Sequence, residues 1–146
     1  MSTRANVIIK DERSRLIFYR HSDGYPKGVI KTLGEFVHLV RTNRLRDNVS
    51  QASGWLIVLG AEEYRDCGPS LDQIRSNTNG TGLIFKVGAY EPCTYLSPGS
   101  EYLYEIDLAK KTLCGWECDG ERNFKIKDVT EELRILSKKY GFDIGQ

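Results

Sequence analysis

The sequence predicts an α+β domain spanning residues 1–146, with a mostly antiparallel sheet of about five strands and helices packed on one face. Three observations carry this. Two β-branched and aromatic runs open the chain, joined by a short polar link, and more such runs return after residue 82. Between them lie two stretches whose apolar residues recur at helical spacing, and a third closes the chain. The resulting order is β-β-α-α-β-β-β-α.

The first two strands are "ANVIIK" and "RLIFYRH", a hairpin turned at "DERS". On the second, Leu16, Phe18 and Arg20 share one face and Ile17, Tyr19 and His21 the other. Both faces start apolar and end polar, which predicts a central strand with Arg20 and His21 at its emerging tip. In "GVIKTLGEFVHLVRTNRL", Val29, Leu33, Phe36, Val37 and Val40 form one stripe. Its start is open between Pro26, whose fixed φ suits a first turn, and a capping box of Thr32 with Glu35. His38 is expected as a surface or boundary residue of this helix. The second helix starts at Asn48 as N-cap and packs through Val49, Ala52, Leu56 and Leu59.

"DCGPSLDQIRSNTNGTG" reads as a loop with one helical turn. The strands "LIFKVGAYEP", "EYLYEIDL" and "TLCGWECD" follow, with "SPGS" and "AKK" as hairpin connections. Gly88 marks a bulge or a close backbone approach, and Pro92 a strand end or an edge. In the last helix Val129, Leu133, Leu136 and Tyr140 form a stripe, with Asp128 able to cap and Gly141 to terminate.

Formal charge is +1 overall, but residues 1–46 hold ten Lys/Arg against four Asp/Glu. A near-neutral total argues against non-specific duplex DNA binding, which needs many phosphate contacts. The longest apolar runs fall short of the roughly 18 residues a membrane span needs, and the opening "MSTRANVIIKDERSR" does not read as a signal peptide. Cys67, Cys93, Cys114 and Cys118 are expected as reduced thiols in a cytoplasmic protein. No metal site or cofactor is predicted. Cys114 and Cys118 would stand about 13 Å apart along one strand, and no phosphate-binding glycine loop or dinucleotide fingerprint is present.

The candidate site is "YRHSDGYP". Asp23-Gly24 signals a turn from strand to helix, and Pro26 pushes Tyr25 into extended backbone. An arginine fork, an imidazole and a helix N-terminus could converge there on an anion. Arg4 and Lys27 would add charge, and Tyr19 and Tyr25 would offer stacking faces. Tyr90 and Glu91 of "KVGAYEP" form a second cluster that would complete the site if it shares the same sheet end. The ligand-binding set is therefore Arg4, Arg20, His21, Asp23, Tyr25, Lys27, Tyr90 and Glu91. The same motif also suits a purely structural turn, with Asp23 pairing Arg20 or His21. No catalytic constellation is read, since His21 with Asp23 lacks a placed nucleophile.

The "STRANVIIKD" start and the "YRHSDGYP" block resemble a set of uncharacterised small proteins from phages and other mobile elements. In these a Ser-Thr-Arg start and a Tyr-Arg-His-x-Asp-Gly-Tyr-Pro block recur. The resemblance covers about the first forty residues and, more weakly, "GAYEP" and "YLYEIDL". It singles out Arg4, Arg20, His21, Asp23, Tyr25 and Pro26. It implies a phage or prophage setting, where small soluble proteins often counter host defence by sequestering nucleotide signals or blocking a host complex. The leading expectation is a non-enzymatic protein, possible as a homo-oligomer, that sequesters a small anionic nucleotide-like ligand. The alternatives are an inhibitor of a host protein complex, using the acidic strands around Glu101 and Asp107, and a nucleotide phosphodiesterase or nuclease using His21.

Overall fold

The computed structural model describes residues 2–65, 71–76 and 88–145. Strands β1 (Ala5–Lys10) and β2 (Arg15–Arg20) form the expected hairpin. Asp11 turns it, its carboxylate accepting from the Arg13 and Ser14 amides at 2.8 and 2.9 Å. The first helical element begins at Pro26, as the proline predicts. It comprises α1 (Pro26–Val29), a π-helical turn (Ile30–Gly34) and α2 (Glu35–Arg41). Thr32 is not a cap; it is buried inside the π turn. Helix α3 (Val49–Glu63) starts at Asn48, whose side chain accepts from the Gln51 amide. Helix α4 is Leu71–Ser76. Strands β3 (Glu91–Cys93), β4 (Tyr102–Asp107), β5 (Thr112–Cys118) and β6 (Lys125–Asp128) follow, and α5 (Thr130–Lys139) comes last. The Asp128 carboxylate accepts from the Thr130 amide at the start of α5. Gly141, at φ 72°, turns the chain out of it.

The sheet has six strands in the order β3-β2-β1-β4-β5-β6. Two expectations change. The sheet is mixed, because β1 pairs in parallel with β4 while the other pairings are antiparallel. A sixth strand, β6, lies between the last expected strand and the last helix, where no element was read. Its four residues are all exposed, so no apolar alternation betrays it. "SPGS" is also no hairpin turn, because β3 lies at the far edge beside β2, not next to β4. Residues 94–100 instead return across the sheet, fixed by Asn6. Its side chain donates to the Ser97 carbonyl and accepts from the Ser97 amide, both at 3.0 Å. Pro92 does mark an edge, where its missing N–H costs no ladder bond.

Strand alternation divides the two faces. Ala5, Val7 and Ile9 of β1 join Phe18, Tyr104 and Ile106 under helix residues Val29, Leu33, Phe36, Leu56 and Leu133 in one buried cluster. The opposite face carries a smaller cluster of Ile8, Ile17, Leu103 and Cys118. Cys93, Cys114 and Cys118 are free thiols, and burial raises the pKa of Cys93 and Cys118 above the usual range. Cys67 and residues 83–87 of the expected "LIFKVGAYEP" strand lie outside the described residues. Among the described residues no helix is long and apolar enough to cross a membrane.

Candidate functional site

The two sequence clusters do meet. Tyr19 of β2 pairs in register with Glu91 of β3, and Tyr90 lies against Arg20. Alternation along β2 then sorts the motif into an inner and an outer set.

The inner set is Arg20 and Tyr90. A direct ligand grip by Arg20 would need it exposed at the strand tip, whereas a structural role for the motif would need it buried; it is fully buried, at 0% exposure. Its Nη1 and Nη2 grip both oxygens of Glu63 at 3.0 and 2.6 Å. Nε donates to the Ser22 carbonyl at 2.7 Å, Nη1 to the Tyr90 hydroxyl at 3.1 Å, and Nη2 to the Gly28 carbonyl at 3.4 Å. Burial opposes the charge, but the adjacent Tyr90 phenol and Glu63 carboxylate outweigh it and raise the pKa of the guanidinium. Tyr90 is buried too, so it offers no stacking face. Its hydroxyl shares a short hydrogen bond with Thr32 of the π turn, and burial pushes its pKa up to about 12. This network ties the β2 tip to the π turn and to the last turn of α3. Gly88 lets Tyr90 arrive there. A Cβ on it would stand 2.5 Å from the Ala61 amide nitrogen, so the close-approach reading of this glycine is the right one.

The helix start is not an anion cradle either. The Gly28 and Val29 amides both donate to the Tyr25 carbonyl. Asp23, at φ 56°, pairs with neither Arg20 nor His21; its carboxylate accepts from the Tyr25 hydroxyl at 3.2 Å. Gly24 is held by its amide to the Thr3 carbonyl and by its carbonyl to the Tyr104 hydroxyl. Tyr25 is 39% exposed, and Lys27 is exposed on the first helical turn.

The outer set sits on the sheet face the helices leave uncovered. The Tyr19 hydroxyl and His21 Nδ1 are 2.8 Å apart. Partial burial raises the Tyr19 pKa, the Arg4 charge opposes that rise, and the Glu91 charge adds to it. Arg4, Tyr19, His21 and Glu91 thus form one corner, with Arg4 exposed.

Farther along this face a cavity of about 210 Å³ lies between Lys10, Glu105, Cys114 and Trp116. An ion triad forms part of its surroundings: Lys10 and Lys125 hold the two Glu105 oxygens at 2.8 and 3.0 Å, and Lys125 lies 3.6 Å from the centre of the Trp116 ring. Glu105 is therefore neutralised by its two lysines, and Asp107 Oδ1 accepts the Ala109 and Lys110 amides of the β4–β5 turn. Burial would raise the Glu105 pKa, but hydrogen bonds from Lys10 and Lys125 outweigh it and bring it below its ordinary 4.5. A depressed carboxyl stabilises the fold above its unfolded pKa and loses that contribution as pH falls through its folded pKa. We expect the urea midpoint to drop on acidification below about pH 4.5, and Glu105→Gln to drop less than wild type over the same range. Equal slopes in both would show that the triad adds nothing.

Sequence reasoning missed Glu63, which lies in no motif, and took Thr32 only as one end of a capping box rather than as a partner of Tyr90. Glu63 reads only as one of the two glutamates that close α3. Among the described residues no cluster of three or more His, Cys, Asp or Glu is placed to hold a metal ion. No protein-family model, curated protein or solved structure matches the chain.

Proposed function

We propose that the chain is a non-enzymatic binding protein that captures a small anionic, nucleotide-like ligand at the Arg4–Tyr19–His21–Glu91 corner. The mobile-element setting implied by the resemblance is part of the same proposal. The observation that carries it is the sorting of the motif by strand alternation. Arg20 and Tyr90 turn inward and lock the strand tip, while Tyr19 and His21 turn outward beside Arg4 and Glu91. A rigid inner layer under exposed polar groups is what a binding site needs to hold its geometry.

The chemistry follows from the pair. The Tyr19 hydroxyl and His21 Nδ1 share a hydrogen bond, and in the tautomer in which the phenol donates, the His21 Nε2–H points away from it as a donor. That N–H and the Arg4 guanidinium then serve as two donors for phosphate oxygens. Glu91 accepts from a sugar hydroxyl or a base amine. His21 bonds to Tyr19 and not to Ser22 or Asp23, which favours binding over acid–base catalysis.

Titration calorimetry against a panel of cyclic and linear nucleotides tests this. Wild type should bind at least one of them. Arg4→Ala and His21→Ala should abolish binding while leaving the melting curve nearly unchanged, because both residues act at the surface. Absence of binding across the panel would sink the reading.

A further inference from the structure

We propose that the cavity on the uncovered sheet face, between Lys10, Asp107 and Trp116, is a binding site for a small aliphatic α-amino acid in its zwitterionic form. It stands apart from the ligand corner and does not depend on it.

The strand register orders the lining. Lys10, Asp107 and Thr112 share one row across β1, β4 and β5. Glu105 and Cys114 share the next row, and Trp116 stands in the row beyond. All six line the cavity, and Lys110 of the β4–β5 turn joins them at the Asp107 end. Charges of both signs therefore gather at one end, and a thiol and an indole lie toward the other. Glu105, between the two, is already held by Lys10 and Lys125.

The charged end still has capacity. Lys110 is exposed and takes no part in an ion pair among the described residues. Asp107 gives Oδ1 to two amides, which leaves Oδ2. In the triad two lysines face one carboxylate, so Lys10 keeps attraction for a further anion. A simple anion entering here would meet Asp107, and a simple cation would meet Lys10 and Lys110. A zwitterion satisfies both. Its carboxylate accepts from Lys110 and Lys10, and its ammonium donates to Asp107 Oδ2. Its side chain then lies toward Cys114 and Trp116, where removing methyl groups from water is favourable. A cavity of about 210 Å³ matches the liquid volume of roughly seven waters, which suits a ligand the size of leucine and is too small for a nucleotide.

Trp55 and Trp116 are the two tryptophans of the chain, so a Trp55→Phe protein reports on Trp116 alone. Trp55 is half exposed on α3, across the sheet from the cavity, and its loss should leave the site intact. Leucine should change the emission of this protein saturably, with a dissociation constant on the order of 1 mM, as so small a ligand at an open site allows. Isocaproate and isoamylamine, each lacking one of leucine's charges, should bind at least about tenfold more weakly. Asp107→Asn keeps an oxygen for the turn amides and should reduce leucine to the level of isocaproate. Lys110→Ala should weaken leucine without moving the melting curve. Saturation-transfer NMR of the leucine methyl groups gives a second reading on the unsubstituted chain. Failure of leucine, valine, isoleucine and methionine to bind by either measurement up to about 20 mM would overturn the proposal. So would isocaproate or isoamylamine binding as tightly as leucine, or leucine binding indifferent to Asp107→Asn.

Discussion

Arg20→Ala is expected to lower the free energy of unfolding by about 3–5 kcal/mol, the cost of breaking a buried ion pair from one side. For a chain of this length that lowers the melting temperature on the order of 10 °C. The substitution removes five donor contacts at once and strands the acceptors they served. The Glu63 side chain, 24% exposed, can turn partly toward water. The Ser22 and Gly28 carbonyls and the Tyr90 hydroxyl lose a partner in the interior. Arg20→Lys should recover only part of the loss, because one ammonium cannot span both Glu63 oxygens and two main-chain carbonyls. Glu63→Gln should cost less than Glu63→Ala, because the amide still offers the guanidinium one acceptor. Urea unfolding of the four variants checks the order. A loss below about 1 kcal/mol for Arg20→Ala would place this arginine with ordinary surface pairs. Any fall in ligand binding by Arg20→Ala should follow its loss of folding, whereas Arg4→Ala should lose binding while remaining folded.

Gly28→Ala is expected to cost about 3 kcal/mol, the upper part of the range for forcing atoms into filled space. A Cβ built on Gly28 runs into the Asp23 carbonyl group, which is main chain and cannot swing aside like a side-chain tip. Asp23 is itself held at positive φ, and the next residue is pinned to Thr3 and Tyr104. To admit a methyl group the turn must lift off the first helical turn, which also pulls the Gly28 carbonyl from Arg20. Gly54→Ala is the control: its added methyl meets open space, and alanine favours the helix, so stability should hold or rise slightly. A Gly28→Ala protein as stable as wild type would mean that the strand-to-helix turn is loose.

Local signals read well from the sequence because their causes are local. Pro26 set the helix start, Asn48 capped α3, and Gly141 ended α5. Gly88 and Pro92 had their positional meaning. Alternation along β2 was also legible, but what covers each face was not. The arginine's alternation partner Phe18 is a core residue, and that already placed Arg20 on the buried face. The tip position suggested exposure instead, and the deciding fact was Glu63, forty-three residues away on α3. The parallel β1–β4 pairing was hidden for a similar reason, since hairpin logic speaks only of neighbours in sequence. β6 escaped because a four-residue edge strand with both faces wet carries no apolar period.

The β1–β4 seam has a consequence for how the chain is made. Its register joins Ala5 to Tyr102 and Lys10 to Asp107, across the middle of the sheet. On one side of it lies the β1–β2 hairpin, with β3 added later at its far edge, and on the other the β4–β5–β6 meander. An emerging chain, lengthening at about 5–20 residues per second, can close the β1–β2 hairpin within seconds of its synthesis. That hairpin must then wait, with one edge of β1 unpaired, until β4 has left the ribosome. Strand β1 is thus completed by one made long after it. The interval between them is when a nascent chain is most open to pairing with the wrong edge.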